Sequence, residues 1–318
     1  MKINPQIPGT LTRIAVGNVD GPQVSGDGKT IVYDVFEKDR WHVMRWRDGK
    51  TDAITDDPHS DTEVQLDDAG DAIVWSRYSK VPASTDGGHY DVMQWRDGLT
   101  STVAGTPADQ TDPAISGDGK VLAWTWDDPS KPTGFDIQEQ IDGKIENVTT
   151  GWPVDTEPIA NRDGSRIFFR RKIQYDDGDM WMWDRASGAL KQLTDTPWKE
   201  NDPVIDAQGK TLVWSTEASG NDQLLRLDVD KGTTTVVAAE PGVNETHAAL
   251  SADASIIAWQ RQKPNEAPQI YLQQKGSTIP LTLDGWNAFP SMSRDGKVLS
   301  WIAIEPDGNT ALYRFERS

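Results

Sequence analysis

Carboxylate side chains recur at one equivalent position in four consecutive segments of the chain, and a histidine takes that position in the next segment. These residues are Glu63, Asp112, Glu157, Asp202 and His247. Because Ca²⁺ and Mg²⁺ prefer oxygen ligands, the four acidic residues are candidate metal ligands, for Ca²⁺ first or for Mg²⁺. The same ring of charge would equally capture a cationic side chain. The alternative is a solvated acidic ring whose members hydrogen-bond to backbone amides.

Tryptophans outside the regular pattern form a second group of candidate residues. Trp152, Trp198 and Trp286 lie in segments predicted to be loops that lead into the acidic positions. Exposed aromatic side chains anchor sugars or aromatic side chains of a partner, so we predict that these tryptophans and His247 bind a ligand. The alternative is that each indole packs over a neighbouring strand, since most tryptophans are largely buried.

Tyrosine and arginine residues in other predicted loops are candidate catalytic groups. The segment 76–91 contains Tyr78 and Tyr90, and the segment 170–175 contains Arg170 and Tyr175. A tyrosine that acts as a base, with an arginine that neutralises charge, would suit a lyase acting on an anionic glycan. Loops carry function more often than the elements they connect. The alternative is that these tyrosines and arginines are ordinary loop residues without a catalytic role.

These positions belong to a sequence repeat. Subtracting successive anchor positions gives intervals of 42, 49, 45, 45, 45 and 42 residues. The seven anchors are turn residues: Gly28, Gly70, Gly119, Gly164, Gly209, Ala254 and Gly296. An aliphatic residue follows each anchor by three positions and an aromatic residue by five, which places both on one face of a strand. We predict that the aromatic residues form the core: Tyr33, Trp75, Trp124, Phe169, Trp214, Trp259 and Trp301.

Each unit predicts four antiparallel strands joined by tight turns, many of them Asp-Gly. Four strands in about 45 residues are typical of a propeller blade. The seventh unit ends after its third strand, and residues 11–16, LTRIAV, supply its outer strand. The sequence therefore predicts an all-β fold. It is a seven-bladed β-propeller of four-stranded antiparallel blades, formed by residues 1–318 as one domain and closed by the N-terminal strand pairing into the last blade.

The motifs SGDGKTIVY, SGDGKVLAW, NRDGSRIFF and SRDGKVLSW, with a final Leu-Thr or Ile-Thr in several units, resemble the TolB-like (WD40-like) β-propeller repeat family. The resemblance covers nearly the whole chain, and the units with DDAGDAIVW and SADASIIAW depart from it most. It implies a seven-bladed propeller. Propellers of this type serve as protein-binding platforms, as gating domains of oligopeptidases and as polysaccharide-lyase scaffolds, so the resemblance does not name a reaction.

Charge and composition limit the partners. Asp and Glu number 50 against 32 Lys and Arg, for a net charge of −18, which disfavours nucleic acid and anionic membranes. We expect a monomer with no nucleic-acid partner and no membrane insertion.

The absence of cysteine excludes disulfides and thiolate chemistry. MKINPQIPG lacks the apolar run of a signal peptide, so we expect a cytoplasmic protein, or a periplasmic or secreted one if a leader was removed.

Sequence motifs for common enzyme chemistries are missing. The chain has four histidines but no H-E-x-x-H, and it has no G-x-S-x-G. We therefore expect a non-catalytic module that binds a protein or glycan at an acidic, tryptophan-flanked channel mouth. The alternative is a polysaccharide lyase or another carbohydrate-active enzyme acting on an anionic glycan at the same face.

Overall fold

The computed structural model describes residues 1–79, 88–106, 108–129, 134–173, 178–218 and 220–318. Within these residues the chain forms 28 β-strands, paired into seven four-stranded antiparallel sheets. Each sheet is one blade, so the predicted seven-bladed β-propeller is confirmed. No helical segment in the described part of the chain has the length and apolar character needed to cross a membrane.

The chain divides into two compact units. The middle unit is Asp34–Pro197, and the terminal unit is Met1–Tyr33 together with Trp198–Ser318. The division falls inside the second strand of blade 1. That blade consists of β2 (Val19–Val24), β3 (Thr30–Glu37), β4 (Arg40–Arg47) and β5 (Lys50–Ala53).

Blades 2 to 4 belong to the middle unit. Blade 2 consists of β6 (Ser60–Leu66), β7 (Ala72–Ser79), β8 (His89–Arg96) and β9 (Leu99–Ala104). Blade 3 consists of β10 (Gln110–Ile115), β11 (Val121–Asp127), β12 (Phe135–Ile141) and β13 (Lys144–Asn147). Blade 4 consists of β14 (Val154–Ala160), β15 (Arg166–Lys172), β16 (Asp179–Asp184) and β17 (Ala189–Gln192).

Blades 5 to 7 belong to the terminal unit. Blade 5 consists of β18 (Glu200–Ile205), β19 (Thr211–Glu217), β20 (Asp222–Asp228) and β21 (Thr233–Ala238). Blade 6 consists of β22 (Asn244–Leu250), β23 (Ile256–Gln262), β24 (Gln269–Gln274) and β25 (Ser277–Pro280). Blade 7 consists of β26 (Trp286–Met292), β27 (Val298–Ile304), β28 (Thr310–Arg317) and the N-terminal β1 (Gly9–Gly17).

The first strand of each blade is the inner one. In the middle unit β10 lies beside β6 and β14, and in the terminal unit β22 lies beside β18 and β26. The fourth strands β5, β13 and β17, by contrast, are exposed along their whole length. Side chains on first strands therefore meet side chains of the neighbouring blade.

The repeated aromatic residues form the core, as the sequence predicts. Each of the seven side chains is at most 1% exposed to solvent, and five of them are tryptophans. The anchors turn the chain with positive φ, and even Ala254 adopts φ of +50°. At Gly164 a Cβ atom would lie 2.2 Å from Cγ2 of Val121 on the preceding blade. Glycine is needed there for its conformation and for the close approach of the two blades.

The pairing of β1 with β28 confirms that the N-terminal segment supplies the outer strand of blade 7. It runs from Gly9 opposite Arg317 to Gly17 opposite Thr310, so it is longer than the predicted 11–16. Residues before β1 extend along blade 6, where the backbone N–H of Asn4 donates to Leu281 O at 2.9 Å. The N-terminal segment thus contacts two blades, and it covers an otherwise open sheet edge.

Threonine at the end of the fourth strand explains the repeated Leu-Thr and Ile-Thr motif. In blade 4 the Thr194 hydroxyl oxygen accepts the N–H of Met180 at 2.8 Å. Thr55, Thr149 and Thr282 make the same bond in their own blades, at 2.9–3.0 Å. Each hydroxyl satisfies a buried amide where the fourth strand leaves the sheet.

We expect Thr194→Val to lower the free energy of unfolding by about 1–3 kcal/mol, because valine keeps the shape but leaves the Met180 N–H without this acceptor. Urea unfolding followed by tryptophan fluorescence measures the change. Thr234→Val on the exposed strand β21 is the matched control and should change stability by less than about 0.5 kcal/mol. Equal losses in the two variants would contradict this role of the motif.

Candidate functional site

The acidic positions and their equivalents share one unusual backbone conformation. All seven residues have φ between 50° and 61°: Gly21, Glu63, Asp112, Glu157, Asp202, His247 and Phe289. In blades 2 to 7 the pairing of first and second strands shifts by one residue at this point. In these six blades the residue is therefore that of a β-bulge. Recurrence in every blade shows that the fold, rather than one functional site, imposes this conformation.

The acidic residues come directly before a shared proline position, which predicts them at the entrance of the first strand. That prediction is wrong, because Asp112, for example, is the third residue of β10. Proline often follows the bulge residue, as Pro113 follows Asp112. A bulge interrupts the ladder of hydrogen bonds, so it tolerates a residue without N–H as readily as a strand start does.

In the middle unit the bulge residues are linked from blade to blade by hydrogen bonds. The Glu63 carboxylate accepts the Ser76 hydroxyl at 2.6 Å and the backbone N–H of Asp112 at 3.0 Å. The Thr125 hydroxyl donates to the Asp112 carboxylate at 2.8 Å and accepts the backbone N–H of Glu157 at 3.1 Å. Glu63 therefore satisfies a backbone amide directly, as the alternative of a hydrogen-bonded acidic ring expects, whereas the carboxylate of Asp112 is bound to the hydroxyl that satisfies the next amide.

Burial raises the pKa of Glu63 above its ordinary value, although part of the side chain remains accessible to solvent. The Ser76 hydrogen bond opposes this rise, and the charges of Asp112 and Glu157 add to it. The carboxylate of Glu157 is itself paired with the guanidinium of Arg170. The middle-unit carboxylates are thus engaged with hydroxyl, amide and guanidinium donors.

The described residues do not fit the predicted metal site. Within the ranges that the structure describes, no group of three or more histidine, aspartate or glutamate side chains is placed to hold a metal ion. A Ca²⁺ or Mg²⁺ site of protein ligands needs several convergent oxygen atoms.

The candidate catalytic residues lie on strands rather than in loops. Tyr78 is on β7 and Tyr90 is on β8, where they are paired with their rings 5.2 Å apart. Arg170 is on β15, bound to Glu157. Tyr175 lies outside the described residues. Pairing continues past the core aromatic residue in these blades, which extends the strands beyond the predicted boundary.

The electrostatics of Tyr90 oppose a role as a base. Burial raises the pKa of its hydroxyl, and the charges of Glu63 and Asp109 raise it further. A tyrosine base must lose its proton near the working pH, which requires a lowered pKa.

In the terminal unit the bulge residues form a series of contacts between rings and a carboxylate. The His247 ring meets the Phe289 ring edge-on with centroids 4.6 Å apart, and the Trp286 ring lies 6.0 Å from that of Phe289. On the other side, Nε2 of His247 is 3.6 Å from Oδ2 of Asp202. We call Asp202, His247, Phe289 and Trp286 the aromatic–acid cluster. All four side chains are partly exposed.

The three predicted loop tryptophans have different surroundings. Trp286 is the first residue of β26 instead of a loop residue, and it joins the aromatic–acid cluster. Trp198 precedes β18, the strand of Asp202, and is 44% exposed. Trp152 precedes β14 in the middle unit and is 58% exposed. Phe289 completes the cluster, and it was not predicted as a site residue because the equivalent position is acidic in four other blades.

Two further carboxylates lie on blade 5. Glu217 ends β19 and Asp222 begins β20, and they are directly opposite each other in the pairing of these strands. Burial raises the pKa of Asp222, the charges of Glu217 and Asp202 raise it further, and His247 lowers it. Asp222 therefore lies within the electrostatic reach of the aromatic–acid cluster.

In blades 2 to 7 a buried polar position lies two residues before the bulge, and it was not predicted from the sequence. Asp61, Gln110, Asp155, Glu200, Glu245 and Asn287 occupy it, and all are almost fully buried. The core tryptophan Nε1–H donates to this side chain in three blades: Trp75 to Asp61, Trp259 to Glu245 and Trp301 to Asn287. The signal was available in the sequence, because a polar residue precedes the core aromatic residue by 14 positions in these six blades, whereas Val19 takes that place in blade 1.

The sequence matches no protein-family model, and no curated protein sequence matches it. An oligogalacturonate lyase from Vibrio parahaemolyticus has a TM-score of 0.74 and 11% identity over 98% of this chain and 94% of that one. An oligogalacturonate lyase in complex with manganese has a TM-score of 0.73 and 13% identity over 100% and 95%. TolB from Acinetobacter baumannii has a TM-score of 0.53 and 16% identity over 98% and 79%. At these identities the likeness shows a shared propeller fold alone, and the TolB-like repeat family stays a prediction.

Glu245 provides a test of the buried polar position. Burial raises its pKa from 4.5 to about 6, against the hydrogen bond from Trp259 and the charge of Arg261. Its stabilising contribution is therefore complete below pH 4.5 and is lost as the pH rises through about 6. We expect a loss of about 2 kcal/mol over that interval.

The measurement is the free energy of unfolding of the wild type and of Glu245→Gln between about pH 4.5 and pH 7.5. The difference, variant minus wild type, should rise by about 2 kcal/mol with pH, because the variant lacks the titrating carboxyl. A difference that stays constant with pH would show that Glu245 does not titrate as described.

Proposed function

We propose that this chain is a non-catalytic binding module that recognises a protein or glycan ligand at the aromatic–acid cluster of the terminal unit. The observation that carries the proposal is the contact series Trp286–Phe289–His247–Asp202, built from three bulge residues and the first residue of β26. A bulge residue is released from the regular alternation of the strand, so its side chain is available to a ligand.

The residue types in the cluster suit recognition. Aromatic rings offer a large rigid contact area at little cost in conformational entropy, and binding energy concentrates on such residues. The exposed indole of Trp198, which precedes the strand of Asp202, adds a further anchor in the same unit. Asp202 supplies a charged group that can orient the ligand by a hydrogen bond.

The lyase alternative has less support from the candidate residues. The raised pKa of Tyr90 works against proton abstraction, and Arg170 already neutralises Glu157. The similarity to oligogalacturonate lyases is at 11–13% identity, which concerns the fold and not the reaction.

The proposal is tested with immobilised glycan and peptide arrays probed with the purified protein. We expect the double variant Trp198→Ala, Asp202→Ala to lose the binding seen with the wild type, because it removes one aromatic anchor and the orienting carboxylate. Its melting temperature should stay close to that of the wild type, since both side chains are partly exposed. Leu99→Ala, at an exposed apolar position of β9 in the other unit, is the control and should bind normally.

Two results would contradict the proposal. One is undiminished array binding by the double variant. The other is a steady rise in ultraviolet absorbance when the protein is incubated with uronic-acid polysaccharides, since unsaturated products would identify the protein as a lyase.

A further inference from the structure

The carboxylates around the aromatic–acid cluster make one ligand chemistry more favourable than the others. Asp202 lies at the cluster itself, and Asp222 is within its electrostatic reach. Anionic glycans would bring further negative charge to a chain whose net charge is already −18. Like charges brought together at an interface are unfavourable, whereas opposite charges promote encounter and fix the orientation of the ligand.

The pairing of Glu217 with Asp222 is unfavourable in the unliganded protein. Like charges directly opposite each other on antiparallel strands destabilise the pair. Burial raises the pKa of Asp222, and the charges of Glu217 and Asp202 raise it further, so the neighbouring carboxylates repel one another. A cation bound between the carboxylates would relieve that repulsion.

The rings of the cluster favour an organic cation over a metal ion. The face of an indole or phenyl ring attracts ammonium and guanidinium groups, and Phe289 and Trp286 are both partly exposed, with their rings 6.0 Å apart. His247 occupies the space between Phe289 and Asp202 with Nε2 directed at the carboxylate. Its Nδ1 is buried and has no hydrogen-bond partner among the described residues.

We propose that the aromatic–acid cluster, with Asp222 and Glu217, binds a lysine or arginine side chain presented by a partner polypeptide. This inference rests on the proposed function and narrows its ligand to a basic peptide segment. Carboxylates would take the charged group by charge-assisted hydrogen bonds. The rings of Phe289 and Trp286 would cover the aliphatic part of the lysine or arginine side chain, because long cationic side chains bury this part against apolar surfaces.

The test is calorimetric titration of the wild type at low ionic strength with three glycine-flanked peptides of equal length. One carries lysine, one arginine and one the uncharged norleucine at the central position. We expect both cationic peptides to bind about tenfold more tightly than the norleucine peptide. Free agmatine and cadaverine form a separate arm. If these amines bound as tightly as the peptides, the peptide backbone would contribute nothing to the affinity. That result would contradict the proposal that a polypeptide presents the cation.

Two variants locate the site. Asp202→Asn and Phe289→Leu should each weaken the lysine peptide by about three- to tenfold. Glu266→Gln removes the same charge as Asp202→Asn from an exposed position of the same unit, and it should leave the affinity unchanged. If Glu266→Gln lost as much affinity for the lysine peptide as Asp202→Asn, binding would depend on the overall negative charge of the protein. That result would contradict the proposed binding site.

The outcomes separate this inference from the proposed function. If a neutral glycan binds on the array through Trp198 and Asp202 while lysine and norleucine peptides bind equally, the binding module stands and the cation site is wrong. If the double variant binds every array ligand normally, the proposed function fails. Circular dichroism and melting curves of each variant confirm that a loss of affinity does not come from unfolding.

Discussion

One residue in the middle of each inner strand has a left-handed backbone conformation, and it determines which side chains this propeller can present to a ligand. Residues other than glycine, asparagine and aspartate adopt this conformation at a cost of about 1–2 kcal/mol, yet Glu63, His247 and Phe289 all do so. The conformation accompanies a bulge that releases one side chain per blade from the ladder of the sheet. The fold therefore fixes where a variable side chain stands, and the sequence of each blade decides its chemistry.

The two units use this position differently. In the middle unit the bulge side chains serve the structure, because Glu63 accepts the Asp112 amide and Thr125 links the next pair of blades. In the terminal unit three of the four equivalent residues are a carboxylate, an imidazole and a phenyl ring, and the imidazole contacts the other two. Hydrogen-bonded carboxylates stabilise neighbouring blades, while partly exposed rings beside a carboxylate are suited to recognition. The same backbone feature thus supports packing in one place and a candidate site in another.

Much of the fold followed from local sequence. The anchors need positive φ, the aromatic residues need a buried strand face, and the N-terminal LTRIAV segment lacked any partner except the last blade. Position along the inner strand was predicted wrongly because proline suits a bulge as well as a strand start. The contact of Phe289 with His247 and the opposition of Glu217 and Asp222 depend on packing between blades and on strand register. Neither could be predicted from one chain without its coordinates.

The binding site is tested most directly by following the indole N–H signals of the tryptophans by nuclear magnetic resonance during titration with the lysine peptide. We expect the signals of Trp286 and Trp198 to shift progressively, since Trp286 belongs to the aromatic–acid cluster and Trp198 precedes the strand of Asp202. The buried core signals, such as those of Trp75 and Trp301, should remain in place. Shifts confined to other tryptophans, or no shift of Trp286 at saturating peptide, would contradict the claim that the terminal unit holds the binding site.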